Sequence, residues 1–165
     1  MSGLQSRKPT RLKNYDYSSP GAYFLTICVK DMRCLLSSVV GADDPGGPHV
    51  CLTYRGTIVA DVLEKTETHY PDIRIDKYVI MPNHVHILLR VVRDPGAPRS
   101  SPPTNAVSKY VTALKKFTNR AFGENLWQRG FHDHIIRDDT DYLRRWQYID
   151  ENPKKWSMGK DEYYA

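Results

Sequence analysis

An α+β fold is predicted by three features of the sequence. Strand-like and helix-like stretches alternate along the chain without internal repetition. Apolar residues make up 40% of 165 residues, enough for one domain with its own core. The longest apolar stretches have strand character and lie in the first hundred residues, whereas the strongest helical patterns lie beyond them.

Taken in order, GAYFLTICVK (21–30) is aromatic, β-branched and apolar, and reads as a strand. CLLSSVV (34–40) continues as a second strand, and GADDPGGP (41–48) is a turn by its Gly, Pro and Asp content. HVCLT (49–53) returns as a strand. RGTIVADVLEKTETHY (55–70) sets Ile58, Val62 and Leu63 at helical spacing and ends before Pro71. IRIDKYVIMPNHVHILLRVV (73–92) is too long for one strand, so a turn near Met81, Pro82 and Asn83, or at Ile75–Lys77, divides it. RDPGAPRSSPPTNA (93–106) has four prolines and no periodicity. It is a flexible connection rather than a domain boundary, because neither flank is large enough to fold comfortably alone. VSKYVTALKKFTNRAF (107–122) is a basic amphipathic helix, FHDHIIR (131–137) a short strand, and DDTDYLRRWQYIDEN (138–152) a second helix stopped by Pro153. This order is that of a ferredoxin-like sandwich: an antiparallel sheet with helices on one face, plus a C-terminal helix. The whole chain, 1–165, forms one domain, with a basic arm at 1–14.

Charge narrows the partners. The formal net charge is +5. Residues 1–13 carry Arg7, Lys8, Arg11 and Lys13 and no acid, and residues 106–122 carry Lys109, Lys115, Lys116 and Arg120 and no acid. Two single-sign basic segments in a small protein point to a polyanion, or simply to solvated faces. The three cysteines, Cys28, Cys34 and Cys51, form no CxxC pair, which argues against a disulfide framework or a zinc-thiolate site. The N-terminus lacks an apolar signal core, and no apolar run reaches membrane-spanning length. A soluble, cytoplasmic protein without membrane contact is expected.

The chemistry-bearing stretch is YVIMPNHVHILLR (78–90). Strand side chains alternate between faces, so His84 and His86 point the same way. Val85 and Ile87, with Met81 and Leu89, are expected to point into a core. Two imidazoles one strand repeat apart can hold one metal ion; the plainer alternative is two partly exposed histidines on a solvated sheet face. A second such pair, His132 and His134 around Asp133, shows how common the pattern is; there Asp133 can itself be a ligand, or the pair can touch DNA. In the last helix Tyr148 and Asn152 are four residues apart, hence on one face. Asn152, just before Pro153, is expected at the frayed helix end, where its carbonyl oxygen can still bind a hard cation. Tyr148 then lies one turn away, as a phenolic nucleophile beside a metal-bound phosphate requires. A helical tyrosine is nevertheless more often packing, and the pair Tyr142 and Trp146 reads that way.

Taken together, YVIMPNHVHILL, YDYSSPGAYFLTICVKDMR (15–33) and LWQRGFHDHIIRDDTDYLRRWQYIDENP (126–153) resemble, in order and along most of the chain, the HUH-type tyrosine transposases of bacterial insertion sequences, especially the REP-associated ones. The resemblance implies an RRM-like (ferredoxin-like) catalytic domain, a Mg²⁺ or Mn²⁺ ion, and cleavage and rejoining of single-stranded DNA carrying hairpins. It implies His84, His86 and Asn152 as metal ligands and Tyr148 as the nucleophile, through a 5′-phosphotyrosine intermediate. It implies a bacterial, nucleoid-associated protein. Insertion-sequence members generally act as dimers and REP-associated members as monomers, so a homodimer stays open. DNA contacts are expected from Arg7, Lys8, Arg11, Lys109, Lys115, Lys116 and Arg120, with Arg129 and Arg137 as further phosphate contacts and His134 as an accessory group. Trp127, Tyr110 and Phe131 can stack on bases, with core packing as the alternative, favoured for Phe131. Loop 93–106 matches nothing in the family. The competing functions are a rolling-circle initiator or relaxase, for which the chain lacks additional domains, and a non-catalytic hairpin-binding domain of the same fold. A zinc hydrolase is disfavoured by the lack of an HExxH helix or a third strong ligand.

Overall fold

The computed structural model describes residues 20–92 and 106–159. Its main sheet has four strands: β1 (Gly21–Cys28), β4 (Ile73–Ile80), β5 (His84–Val91) and β6 (His132–Ile135). Their order is β4-β5-β1-β6, and β5 pairs antiparallel with both β1 and β4, as β6 does with β1. Two shorter strands, β2 (Ser37–Val40) and β3 (His49–Leu52), form a separate antiparallel ribbon. Helices α1 (Tyr54–Glu64), α2 (Thr66–His69), α3 (Ala106–Phe122) and α4 (Asp139–Ser157) complete the chain, with a short 3₁₀ turn at Lys30–Met32. This is the α+β sandwich with a ferredoxin-like strand order that the sequence predicts.

The central strands explain the near-continuous apolar runs. Both of their faces are covered, so alternation disappears. Tyr23, Leu25 and Ile27 of β1, with Val85, Ile87 and Leu89 of β5, pack with Val59 and Leu63 of α1 and Val107, Tyr110, Val111 and Leu114 of α3. Phe24 and Leu88 face the other way and join Val79, Met81, Tyr148 and Ile149 in a second cluster beneath α4. Met81 therefore belongs with the α4 side, not with Val85 and Ile87. It stands in the turn after β4, where strand alternation no longer governs direction.

The long 73–92 stretch is divided twice. The hairpin turn falls at 81–83, where the Met81 N–H donates to the His84 carbonyl at 2.9 Å. A β-bulge interrupts register between Ile75 and Lys77. The Asp76 carboxylate there accepts a forked pair of bonds from Arg90 and a 2.9 Å bond from the Tyr142 hydroxyl of α4.

Two boundaries differ from expectation. Residues 54–69 form two helices, with Lys65 between them. Helix α4 does not stop at Pro153 but continues to Ser157. Proline removes one intrahelical bond and crowds one carbonyl. Pro153 and Asn152 are buried, and that packing holds the turn through the defect. Asn152 is thus inside the helix, not at a frayed end.

Among the described residues no helix is long and apolar enough to cross a membrane.

Candidate active site

His84 and His86 stand opposite Cys28 and Thr26 of β1. Both point to the sheet face that α4 covers, so they are wholly buried rather than solvated. Their Nε2 atoms are 3.0 Å apart. His84 Nδ1 donates to the Asn83 side-chain oxygen at 2.8 Å. An amide oxygen only accepts, so the proton is on Nδ1 and the His84 Nε2 lone pair faces His86. The Asn83 amide is oriented by donating to the Met32 carbonyl at 3.4 Å. That carbonyl is aimed by an unusual turn in which Asp31 and Met32 have φ of 57° and 52°. The second ring is fixed in the same manner: His86 Nδ1 is 2.9 Å from the Thr26 hydroxyl. Backbone bonds hold the hairpin turn itself, from the Leu35 and Leu36 N–H groups to the Pro82 carbonyl and from the Val29 N–H to the Asn83 carbonyl.

Burial disfavours protonation of both rings. It takes His84 down to about 3, against a hydrogen bond with Asn152 that acts in the opposite direction. It takes His86 well below its ordinary value, and the charges of His84 and Arg145 push the same way. Both imidazoles are neutral at pH 7, the form that binds metal.

Helix α4 is started by Asp138, whose side chain accepts from the Asp141 N–H at 2.8 Å. Its buried stripe brings Tyr148 and Asn152 over the histidines. The Tyr148 ring is 5.2 Å from that of His86, centroid to centroid, at 70°. Phe24 stacks on His86 at 5.0 Å and meets Tyr148 edge-on at 5.8 Å. Asn152 is wholly buried and hydrogen-bonds His84. One turn further, the Trp156 ring is 6.2 Å from His84, and Lys155 Nζ lies 4.5 Å from the Tyr148 ring centre.

This donor set fits a small divalent cation. Adjacent ligands at right angles, with bonds of about 2.1 Å, stand about 3 Å apart, which matches the separation of the two Nε2 atoms. Among the described residues no group of three or more His, Cys, Asp or Glu is placed to hold a metal. A third protein ligand would therefore be Asn152.

Comparison with known proteins shows what the chain resembles. No family model matches the chain. An uncharacterized Haemophilus influenzae protein is 30% identical over 99% of this chain and 96% of its own length. The REP-associated tyrosine transposase of Escherichia coli is 24% identical, over 84% of this chain and 70% of its own. Among solved structures, a REP-associated tyrosine transposase bound to a REP hairpin superposes with a TM-score of 0.58 at 21% identity, covering 86% of this chain and 70% of that one. In sequence and in fold the chain is similar to the REP-associated tyrosine transposases.

The other expected residues divide into three groups. Lys109, Lys116, Arg120, Arg129 and Arg137 are exposed. Lys116 borders a groove of about 510 Å³ between α3 and the 130–131 loop, lined also by Ser108, Thr112, Asn119 and Phe131. Phe131 is half-buried against the core, as favoured. Other residues are committed to structure. Trp127 is 2% exposed and donates its indole N–H to Thr118 at 2.8 Å, and Tyr110 is 1% exposed and bonded to Thr66. Neither is presented to bases, because the apolar ring of each is worth more in the core than on the surface. Lys115 bonds the Gln128 and Gly130 carbonyls, fastening the loop before β6 instead of pointing at solvent. His134 shares the face of His86 but is held by Asp141 at 2.7 Å. Asp133 points to the opposite face, in register with Leu25, and cannot join the histidines. Arg7, Lys8 and Arg11, with most of loop 93–106, lie outside the described residues.

Four residues of the site escaped the sequence reading: Thr26, Asn83, Arg145 and Trp156. Asn83 adjoins His84 in MPNHVH, and Trp156 continues the four-residue spacing of Tyr148 and Asn152; both were visible. Thr26 needed the β1–β5 register.

Proposed function

We propose that this transposase cleaves and rejoins single-stranded DNA beside a hairpin, through a covalent bond between Tyr148 and a 5′ phosphate, with Mg²⁺ or Mn²⁺ held by His84, His86 and Asn152. The observation that carries the reading is the convergence of two neutral, rigidly oriented imidazoles with a phenol from a separate helix, ring centres 5.2 Å apart. A divalent cation bound there would draw charge from the scissile phosphate oxygens.

The chain's own residues do the rest. Asn83 and Thr26 fix the histidine rings, and α4 aims Tyr148. The Tyr148 oxygen attacks phosphorus, the bond to the 3′ oxygen breaks, the phenolic proton is lost and the leaving 3′ oxygen gains one. One phosphodiester replaces another, so a 3′-OH can later reverse the step without an external energy source.

Hairpin DNA is favoured because the structural neighbour is bound to a REP hairpin. Exposed Lys109, Lys116 and Arg120 on α3, with Lys116 at the groove, would supply a track for phosphates. The test is cleavage of end-labelled single-stranded hairpin oligonucleotides. Cleavage is expected with Mg²⁺ or Mn²⁺, none in EDTA, and little on the fully paired duplex. Undiminished cleavage in EDTA would remove the metal from the account.

A further inference from the structure

We propose that Lys155 binds the scissile phosphate directly and stabilises the negative charge that builds on it; the proposal rests on the function proposed above. Tyr148, Asn152 and Lys155 fall at i, i+4 and i+7 on α4, hence on one face. The Lys155 ammonium lies over the Tyr148 ring, with Nζ 4.5 Å from the ring centre. In a reactive complex the attacking oxygen and the phosphorus stand about 3 to 3.5 Å apart. A phosphate so placed on the Tyr148 oxygen is within reach of an ammonium on a flexible four-carbon stem. Lys155 stands there only because α4 runs past Pro153 to Ser157.

The ammonium is open to an incoming strand. Tyr148 is buried, whereas the Lys155 side chain is 35% exposed. Lys155 pairs with Glu151, four residues earlier, at 3.3 Å, and that carboxylate is 42% exposed. An exposed pair of this spacing contributes little to stability, so exchanging the carboxylate for a phosphate costs little. Glu151 also accepts from the Gln147 amide at 2.6 Å and keeps that partner after the exchange. The ordinary reason for a lysine in a last helical turn is the helix dipole, which Lys154 and Lys155 complement alike. Of the two, only Lys155 falls on the face of Tyr148 and Asn152. In the transfer step the Tyr148 O–P bond forms as the P–O3′ bond breaks. The phosphoryl group passes from one negative charge toward two and back to one, and a cation held beside it lowers the middle of that path. Lys155 supplies charge and hydrogen bonds to this step and exchanges no proton.

The test compares Lys155→Gln, Lys155→Arg and, as a control for charge and helix dipole, Lys154→Gln. The substrate is a hairpin strand carrying either the natural phosphate or an uncharged methylphosphonate at the cleavage position. In a Tyr148→Phe background without divalent cation, the chain with Lys155 should bind the phosphate strand about 10-fold tighter than the methylphosphonate strand. Lys155→Gln should lose most of that preference, Lys155→Arg should keep part of it, and Lys154→Gln should keep it all. With Tyr148 and Mg²⁺ present, Lys155→Gln should slow adduct formation at saturating natural strand by about 100-fold, with hairpin affinity changed far less. No preference in the chain with Lys155, a preference undiminished in Lys155→Gln, or an equal loss in Lys154→Gln overturns the proposal and leaves the proposed function standing. Failure of the unaltered chain to form any Tyr148-dependent adduct overturns both.

Discussion

At the scale of single residues, the two histidines are neutral because they are buried, and this has a consequence for stability. Below pH 6.5 the unfolded chain takes up a proton on His84, whereas the folded chain, with His84 at about 3, does not. Their contribution is fully present above that pH and is lost steadily as pH falls toward 3. From pH 6.5 to pH 5 the loss for His84 is roughly 2 kcal/mol, and His86 acts in the same direction. Asp141 is held below its ordinary value, so its contribution is lost only at lower pH. Urea unfolding of the metal-free protein at pH 7 and pH 5 should therefore show a clear drop in stability, reduced in His84→Gln. Equal midpoints at both pH values would mean that the rings are not buried as described. The spacing of His84 and His86 was legible in the sequence, but the depth of their burial was not. That depends on α4 folding over the sheet from more than fifty residues away.

At the scale of elements, α4 and the hairpin β4–β5 carry the proposed chemistry, and the β2–β3 ribbon supports them. The ribbon packs Val39 and Val50 against the α4 side of the sheet. It is anchored where Leu36 meets Gly56 of α1: the Leu36 carbonyl accepts the Thr53 N–H and hydroxyl, both at 2.9 Å. A Cβ on Gly56 would lie 2.0 Å from that carbonyl oxygen. Gly56→Ala should cost about 3 kcal/mol, as other overpacked contacts do, and lower the melting temperature. A variant as stable as the parent would show that α1 and the ribbon are less closely docked. Helices α1 and α3 were legible from apolar spacing, and most of α4 from its acidic N-terminal turn. The persistence of α4 past Pro153 was not, because local propensity argues for a stop and only tertiary burial of Asn152 and Pro153 reverses it.

At the scale of the whole molecule, the sheet separates two functions. The proposed catalytic groups lie under α4 on one face, and the basic helix α3 lies on the other. Tyr148 is 7% exposed, so on this account substrate reaches it only as α4 yields, while the hairpin is gripped elsewhere. Hairpin binding should weaken steeply with salt. Lys116→Ala and Arg120→Ala should each flatten the slope of log affinity against log salt by about 1. Unchanged slopes would place the phosphates off α3. The α+β sandwich could be inferred from element order. The sidedness of the charges could not, because composition counts Lys115 with Lys116 although one fastens a loop and the other is exposed.

The most direct test of the central claim is mass spectrometry of the protein after incubation with a single-stranded hairpin substrate and Mg²⁺ or Mn²⁺. The account predicts a peptide in which Tyr148 carries a 5′-linked nucleotide phosphate, absent from Tyr148→Phe. A nucleotide on any other residue, or cleaved DNA with no covalent protein adduct, would contradict it.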